Sequence, residues 1–316
     1  MRTIGLEFPE RGRVAFCDLG PPPDPVAHQV VLRTIFSGIT NGTERHALLH
    51  EHAYGSFPGR HGYQHVSVVE RVGAGVSTFE VGDRVFDGHY VGHRAWNIVD
   101  LTEQSFTVKL RPDADLPAAA LFGVAGVAVR AVRVTDIRPG DHVWVVGAGL
   151  IGQFAAQGAR LAGATVIVSD IDETRLERAS QLGAHGVALA GTSGDQTALD
   201  EGGPYDSIID CSSAENLFFE IHERDRLAER GTIVALATRA EATFPWSLLH
   251  LLEGSIRNTV GFRRRDLEIV RDWCDRGDLQ IDPLITHRVS IDDAPDIYRV
   301  LRDEPHLLGG VVFDWS

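Results

Sequence analysis

The sequence predicts an α/β protein in which a β-rich part is followed by a doubly wound parallel sheet. The 316 residues, 43% of them apolar, are enough for about two domains with substantial cores. Before about residue 120, short β-rich runs are broken by Gly and Pro, whereas after it apolar strand-like runs alternate with helical ones. Such alternation predicts a parallel sheet with helices on both faces.

Short apolar runs predict the strands of the β-rich part. Residues 30–35 and 66–72 each have the composition of a strand, and residues 81–86 predict a turn that leads into a third strand. The glycines at 73–75 predict a turn after the second strand. These runs indicate an all-β or barrel-like arrangement.

After residue 120 the spacing of apolar residues predicts a different architecture. In chain order it predicts a strand at 142–146, a helix at 150–161, a strand at 164–169, a helix at 173–182 and strands at 207–209 and 232–236. From residue 263 it predicts an amphipathic helix, a strand at 285–289, a helix at 294–301 and a strand at 310–313. We expect this tail to return to the β-rich domain.

The charge and the cysteine content exclude several classes of protein. The chain carries 44 acidic and 30 basic side chains, a net charge of −14, which argues against binding nucleic acids or anionic membranes. Three cysteines, Cys17, Cys211 and Cys274, are too few for a four-cysteine zinc lobe. Because no apolar run approaches the length of a membrane span and the N-terminus has no signal-peptide core, we expect a cytoplasmic protein.

A glycine-rich loop joins the strand at 142–146 to the helix at 150–161. Its spacing is Gly-x-Gly-x-x-Gly, which permits a tight turn, close approach of the backbone to a pyrophosphate, and packing of the helix on the strand. The helix N-terminus then faces the anion, so the loop predicts a dinucleotide site. The predicted cofactor-binding residues of this loop are Gly147, Gly149, Leu150, Ile151 and Gly152.

Three further residues complete the predicted cofactor site. Asp170 ends the next strand, where a carboxylate accepts hydrogen bonds from ribose hydroxyls and repels a 2′-phosphate, so NAD is favoured over NADP. Arg175 either accepts such a phosphate or is a surface charge on the following helix. Ser212 follows the strand at 207–209 and is expected to face the nicotinamide, because cofactors lie at the carboxyl ends of such strands.

The order of a β-rich part, a dinucleotide-binding part and a returning tail resembles the medium-chain dehydrogenase/reductase superfamily. The strings that carry the resemblance are Val-Gly-Ala-Gly-Val at 72–76, Phe-Glu-Val-Gly-Asp-Arg-Val at 79–85, Arg-Pro-Gly-Asp at 138–141, the glycine loop and Leu-Gly-Ala at 182–184. The resemblance implies a GroES-like catalytic domain, residues 1–121 with 263–316, and a Rossmann domain, residues 122–262. It also implies a homodimer joined near 259–262.

The positions that hold catalytic zinc in the alcohol dehydrogenases of this superfamily carry other residues here. Asn41, Tyr63 and Gly123 stand where the resemblance places the three ligands. The strings at 37–44 and 62–64 are most similar to a zinc-lacking branch, which includes bacteriochlorophyllide hydroxyethyl dehydrogenases and sugar or cyclitol dehydrogenases. We therefore predict no metal. The competing prediction is a zinc site built from the histidines that crowd this region, which are His46, His50, His52, His61 and His65.

The resemblance further implies a proton relay. Thr43 matches the hydroxyl that bonds the substrate oxygen, and His46 matches the histidine that carries the proton away. A histidine with a pKa of about 6.5 holds a proton that a threonine hydroxyl only passes on. The alternative is that Thr43 caps a helix over 43–49 and that His46 is polar surface.

Without zinc, hydrogen bonds must stabilise the charge that develops on the reacting oxygen. Tyr63 is the best candidate donor, and its alternative is an aromatic residue packed beside Phe57. Asn41 and Gln64 are candidate amide donors. Glu44 either orients the relay, binds an arginine near the nicotinamide, or is an ordinary acid in the first turn of a helix.

The residues and the resemblance together predict a zinc-independent, NAD-dependent dehydrogenase. It would exchange hydride with a secondary alcohol or ketone on a ring-bearing or sugar- or cyclitol-like small molecule. His89 and His93 either touch this substrate or lie in a surface loop. Two alternatives stay open: an enone or quinone reductase that uses NAD(P)H, which Asp170 disfavours, and a nucleotide-binding pseudoenzyme without activity.

Overall fold

The computed structural model of the chain describes residues 2–51, 54–101, 105–212 and 214–316. It contains two compact units, Met1–Gly123 together with Arg263–Ser316, and Val124–Phe262. One unit is built on a mixed sheet and the other on a parallel sheet, so the predicted α/β class is confirmed. The tail from residue 263 is part of the first unit.

Fifteen strands and ten α-helices make up the described chain. The strands are β1 Ile4–Glu10, β2 Arg13–Asp18, β3 Gln29–Gly38, β4 His65–Val72, β5 Arg84–Asp87, β6 Trp96–Asp100, β7 Thr107–Lys109, β8 His142–Val146, β9 Thr165–Asp170, β10 Gly186–Leu189, β11 Tyr205–Asp210, β12 Leu227–Ala235, β13 Ser255–Asn258, β14 Ile285–Ser290 and β15 Gly310–Asp314. The helices are α1 Asn41–Leu49, α2 Leu116–Ala119, α3 Phe122–Thr135, α4 Leu150–Leu161, α5 Glu173–Gln181, α6 Ser193–Gly202, α7 Leu217–Glu223, α8 Ser247–His250, α9 Arg264–Asp275 and α10 Ala294–Asp303.

The first unit is organised round β3. A seven-stranded sheet has the order β14-β15-β3-β4-β5-β7, with β6 also paired to β3. β14 and β15 are parallel, whereas β3 pairs antiparallel with β15, β4 and β6. The strands predicted at 30–35 and 66–72 are confirmed within β3 and β4, whose apolar residues are mostly buried.

The core of the first unit places α1 and α10 against this sheet. Ile39 and Leu48, before and within α1, are fully buried together with Tyr298 of α10 and Phe313 of β15. A smaller cluster around Val30 and Val69 fills the other end of the sheet. Ile39 and Leu48 therefore pack in the same core as α10 and β15, and this close packing fixes the orientation of α1.

The second unit is a parallel sheet of order β10-β9-β8-β11-β12-β13. β8 and α4 have the bounds predicted at 142–146 and 150–161, while β12 begins at Leu227, five residues before the predicted strand. The strand order reverses between β8 and β11, and cofactors bind at such a switch point in doubly wound sheets. Within the described ranges, no helix has the length and apolar character needed to cross a bilayer.

Candidate functional site

Helix α1 begins at Asn41, two residues before the predicted start at 43. Its N-cap residue is Thr40, whose backbone N–H donates to Oε1 of Glu44 at 2.7 Å. Thr43 therefore lies inside the helix, and the prediction that it caps the helix is wrong. The Glu44 carboxylate satisfies a backbone donor that the first turn would otherwise leave unpaired.

Glu44 is fully buried and accepts hydrogen bonds from three groups. Besides the Thr40 amide, His93 Nε2–H donates to Oε2 at 3.1 Å and the Tyr298 hydroxyl donates to the same oxygen. Burial alone would raise the pKa of Glu44, but His93 and these hydrogen bonds hold it below its ordinary value. Glu44 is thus an ionised carboxylate that anchors α1 to α10.

His93 continues this buried network. Its Nδ1 lies 2.7 Å from the Ser37 hydroxyl oxygen, which also accepts the indole N–H of Trp315 at 2.9 Å. Only 1% of His93 is exposed. Neither alternative predicted for His93, a substrate contact or a surface loop, is correct, because both ring nitrogens are engaged inside the protein.

A second hydrogen-bonded chain leads to Tyr63. Gln64 Nε2–H donates to the Thr40 hydroxyl oxygen at 3.2 Å, and the Thr40 hydroxyl in turn hydrogen-bonds the Tyr63 phenol. Burial raises the pKa of Tyr63 above its ordinary value, so the phenol keeps its proton at neutral pH. A donor whose oxygen already accepts a hydrogen bond is polarised, which strengthens the bond that it donates.

The aromatic neighbour of Tyr63 differs from the predicted one. Its ring is stacked on that of Tyr90, with centroids 5.9 Å apart and planes inclined by 26°. Phe57 instead lies against His50, at 5.9 Å between ring centroids. The stacking fixes the plane of the Tyr63 ring, and the phenol oxygen accepts the hydrogen bond that Thr40 donates.

The two predicted amide donors are used within the protein. Asn41 Nδ2 donates to the carbonyl oxygens of Leu308 at 3.1 Å and Gly309 at 2.9 Å. Gln64 Nε2 donates to the Gly38 carbonyl at 3.3 Å as well as to the Thr40 hydroxyl. Both amides therefore hydrogen-bond backbone carbonyls near α1. They would influence a ligand by positioning α1 and Thr40.

At Gly123, one of the positions where the resemblance places a zinc ligand, side chains leave no room for a larger residue. A Cβ built on Gly123 would lie 2.8 Å from Cγ of Gln64 and 2.9 Å from Cε2 of Tyr63. Among the described residues, no group of three or more His, Cys, Asp or Glu side chains is placed to hold a metal ion. An amide, a phenol and a glycine do not supply the nitrogen and sulfur ligands that zinc prefers, so these positions do not fit zinc.

The histidines of this region point to separate partners. His61 Nδ1 lies 2.7 Å from the Tyr90 hydroxyl, and His65 Nε2 lies 3.0 Å from the Gly92 carbonyl oxygen. His50 caps α1 at its C-terminus, and His52 lies outside the described residues. The described histidines among them do not form a group that could hold a metal ion, as a zinc site built from them would require.

Thr43 and His46 lie one turn apart on α1, a spacing that brings two side chains to the same helix face. His46 Nδ1 is 2.8 Å from Oε2 of Glu51, whose carboxylate also accepts from Arg45 at 3.1 Å. Burial opposes ionisation of Glu51, but the hydrogen bond from His46 and the charge of Arg45 lower its pKa. Glu51 therefore orients the imidazole of His46 through this hydrogen bond.

The glycine loop after β8 has the close contacts that its spacing predicts. Gly147 has φ +93°, and a Cβ on Gly152 would lie 1.8 Å from the Gly147 carbonyl oxygen, so α4 packs directly on the loop. Gly149 is the N-cap of α4, and a Cβ there would meet nothing within 4 Å. Leu150 and Ile151 follow it as the first residues of α4. The open space at the helix N-terminus fits a pyrophosphate.

Asp170 lies beside this loop at the end of β9. Its Oδ2 accepts the Ala148 N–H at 2.6 Å and its Oδ1 accepts the Asp172 N–H at 2.9 Å. Arg175 Nη1 is 4.0 Å from Oδ1 of Asp170, and its Nε is 3.6 Å from Asp172. The carboxylate is thus held in place by two backbone amides next to the predicted pyrophosphate site.

Ser212 follows β11 at the switch point of the parallel sheet. A Cβ on Gly147 would lie 3.1 Å from the Ser212 Cβ, so the two strand ends are adjacent. The Ser212 hydroxyl donates to Oδ1 of the buried Asp210 at 3.1 Å, and Arg239 pairs with the other carboxylate oxygen. Burial raises the pKa of the neighbouring Cys211 thiol, which suits an inert cysteine.

Three residues of the site were missed from the sequence. Thr40, Glu51 and Tyr90 each bond a predicted residue, namely Tyr63, His46 and His61. For Thr40 the signal is only its residue type, because threonine is among the preferred N-cap residues of a helix. Glu51 and Tyr90 lie in loops whose patterns carry no comparable signal.

Comparison with known sequences adds a family match. The family described as zinc-binding dehydrogenase matches residues 151–276. Over 315 aligned residues the chain is 28% identical to the probable D-xylulose reductase A of Aspergillus clavatus, and the alignment covers 87% of each chain.

Solved structures with the same fold cover nearly the whole chain. The 2R,3R-butanediol dehydrogenase of Bacillus subtilis has a TM-score of 0.86 at 19% identity and is covered to 99%, as is this chain. A putative zinc-binding dehydrogenase of Sinorhizobium meliloti 1021, bound to NADP, has a TM-score of 0.80 at 22% identity, again with 99% of each chain covered. At these identities the likeness shows the fold.

Proposed function

We infer that this chain, which belongs to the medium-chain dehydrogenase/reductase superfamily, is an oxidoreductase that acts on alcohols. In more detail, we propose that it exchanges hydride between NAD and a secondary alcohol or ketone on a ring-bearing or sugar- or cyclitol-like metabolite, without zinc. The names of the relatives, a xylulose reductase and a butanediol dehydrogenase, support alcohol chemistry.

The observation that carries the zinc-free part is the hydrogen-bonded chain that ends on Tyr63. Gln64 donates to Thr40, and Thr40 bonds the phenol of Tyr63, the residue that the resemblance places at a zinc-ligand position. A metal stabilises an alkoxide by its charge, and a polarised phenol does so by a short hydrogen bond. The lack of room at Gly123 supports the same proposal.

The proposed mechanism divides the reaction between a hydride and a proton. NAD, held by the glycine loop and Asp170, would supply the hydride acceptor for the carbinol carbon. Tyr63 donates a hydrogen bond to the reacting oxygen and stabilises its negative charge. Thr43 passes the hydroxyl proton to His46, whose ring is oriented by the hydrogen bond to Glu51.

The cofactor is proposed to lie against the second unit. The open space at Gly149 and the N-terminus of α4 would hold the pyrophosphate. Asp170 would accept hydrogen bonds from the adenosine ribose and disfavour a 2′-phosphate. By this assignment the first unit is the catalytic domain and the second the nucleotide-binding domain.

We also propose that the partner of the chain is a second copy of itself. β13 lies at one edge of the six-stranded sheet, where among the described residues it has a strand neighbour on one side only. An uncovered edge is a template for pairing with another strand. The molar mass from light scattering checks this assignment.

A turnover assay on chelated protein tests the proposed function. We expect purified, chelator-washed protein to oxidise members of a panel of cyclitols, sugars and simple secondary alcohols with NAD, and to hold less than one zinc per chain. The control is a zinc-dependent alcohol dehydrogenase treated in the same way, which should lose its activity. Activity that vanishes on chelation and returns with zinc would contradict the zinc-free proposal.

Replacing Asp170 with serine is expected to raise the affinity for NADPH relative to that for NADH by about tenfold or more. The reason is that the change removes the carboxylate that would repel a 2′-phosphate. Fluorescence titration with both nucleotides measures the ratio of dissociation constants. Glu177→Ser removes the same charge from the exposed face of α5 and should leave the ratio unchanged. An unchanged ratio in the Asp170 variant would show that this residue does not select the cofactor.

A further inference from the structure

Three tyrosines lie together in the first unit around His61. The rings of Tyr63 and Tyr90 are stacked, the Tyr90 hydroxyl is 2.7 Å from His61 Nδ1, and it also hydrogen-bonds the Tyr54 phenol. Tyr54 is 38% exposed and Tyr90 is 47% exposed, so both are within reach of a ligand. We call Tyr54, Tyr63 and Tyr90 the tyrosine cluster.

The backbone holds the tyrosine cluster rigidly. Gly92 N–H donates to the Gly62 carbonyl at 3.0 Å, and His93 N–H donates to the His61 carbonyl at 3.1 Å. Gly62 has φ +122°, and a Cβ there would lie 2.7 Å from the His93 ring. The segments that carry Tyr63 and Tyr90 are therefore fixed side by side before any ligand arrives, which lowers the entropic cost of binding.

The hydrogen bonds of the tyrosine cluster run in one direction. Burial lowers the pKa of His61, so its ring is neutral and carries one N–H. Its Nε2 is buried and has no hydrogen-bond partner among the described atoms. Because buried N–H groups without an acceptor are rare, the hydrogen belongs on Nδ1 and is donated to Tyr90. Tyr90 then donates to Tyr54, whose own hydroxyl hydrogen ends the chain at the surface.

The arrangement offers two kinds of contact next to the phenol of Tyr63. The half-exposed Tyr90 ring, nearly parallel to Tyr63, presents an aromatic face whose negative quadrupole attracts C–H groups. The Tyr54 hydroxyl presents a donor that needs a polar partner. A ligand that fits both has a flat, C–H-bearing side and hydroxyl groups at its rim.

We propose that the tyrosine cluster is a subsite for the ring of a cyclic polyol, in which Tyr90 packs on the ring and Tyr54 donates to a ring hydroxyl. This inference rests on the proposed function, because it places the ring beside the Tyr63 phenol that would bond the reacting oxygen. An open-chain polyol has no rigid face for Tyr90 and loses more rotational freedom on binding. A flat hydrocarbon leaves the Tyr54 hydroxyl without a partner.

Calorimetric titration of the protein–NADH complex with two matched probes tests the subsite. myo-Inositol and D-glucitol have the same number of carbons and hydroxyl groups, but only the first is a ring. We expect the wild-type complex to bind myo-inositol about tenfold more tightly, and Tyr90→Leu to remove most of that difference. Tyr54→Phe should lower the affinity for myo-inositol several-fold but keep part of the preference for myo-inositol over D-glucitol.

Matched controls separate the subsite from folding and from the proposed function. Phe16→Leu changes a similarly exposed aromatic residue on β2 and should leave both probes unaffected, and NADH binding should be unchanged in all variants. Equal affinity of the wild-type complex for the two probes, or a preference that survives Tyr90→Leu, would overturn the subsite. If the ring preference depends on Tyr90 but no alcohol is oxidised with NAD, the subsite stands and the proposed function falls.

Discussion

Replacing Glu44 with alanine is expected to lower the free energy of unfolding by about 3–5 kcal/mol. Glu44 is fully buried, and its carboxylate accepts hydrogen bonds from the Thr40 amide, His93 and Tyr298. Removing it leaves three buried donors without an acceptor and a cavity between α1 and α10. The midpoint of urea unfolding, followed by circular dichroism, measures the effect.

The control for Glu44 is a partly exposed carboxylate of the same unit, Glu70 on β4. Glu70 on β4 pairs with Arg33, and the side chains are 34% and 41% exposed. An ion pair at this exposure contributes about 1 kcal/mol or less, so Glu70→Ala should cost far less than Glu44→Ala. Similar losses in the two variants would show that the buried network does not anchor α1.

Acid should unfold the wild type through the same network. Glu44 has a folded pKa below its ordinary value of 4.5, so its ionised form stabilises the native state above that pH. The contribution falls as pH drops below 4.5 towards the folded pKa, and the Glu44→Ala variant should lack this part of the acid dependence. Burial also lowers the pKa of His65 to about 4, so a separate loss of stability begins below its ordinary value of 6.5 in both proteins.

The parallel sheet shows where sequence patterns are sufficient. β8 and α4 have the bounds predicted at 142–146 and 150–161, because a buried strand, a glycine loop and a helical repeat are local signals. β12 was predicted too short, because the exposed Glu229 and Arg230 interrupt the apolar run between Leu227 and the predicted strand. Local patterns predict the centres of elements better than their ends.

The site in the first unit shows where local patterns fail. Glu44 was predicted as a relay-orienting residue, an arginine partner or a first-turn acid. In the structure one of its hydrogen bonds comes from Tyr298, 254 residues away in the sequence, and no local pattern reports such a contact. The relation of Thr40 to Tyr63 depends on β3, α1 and the segment before β4 meeting in space. The motif match assigned the substrate-bonding hydroxyl to Thr43. It gave no information about Thr40, because a motif compares residue types along the sequence and does not report which side chains touch.

Removing the Tyr63 hydroxyl is expected to lower kcat by about 10²–10³-fold in the Tyr63→Phe variant, with NADH binding unchanged. The proposed reaction places negative charge on the substrate oxygen, and Tyr63 is the donor that stabilises it more in the transition state than in the ground state. Because burial keeps the pKa of the phenol above its ordinary value, the loss should be nearly independent of pH between 6 and 9. Steady-state kinetics on the best alcohol of the panel, at saturating NAD, measures it.

Two variants decide whether the loss belongs to the hydrogen bond that Tyr63 donates. Thr40→Val removes the bond into the phenol but keeps the phenol, so kcat should fall about tenfold. Because the buried Gln64 amide loses an acceptor, the free energy of unfolding should fall by about 1–3 kcal/mol. Tyr298→Phe removes another buried phenol of the first unit, the one bound to Glu44, and should lower stability without lowering kcat. If Tyr63→Phe turns over at the wild-type rate, the oxygen is stabilised by another group, and the zinc-free assignment loses the observation that carries it.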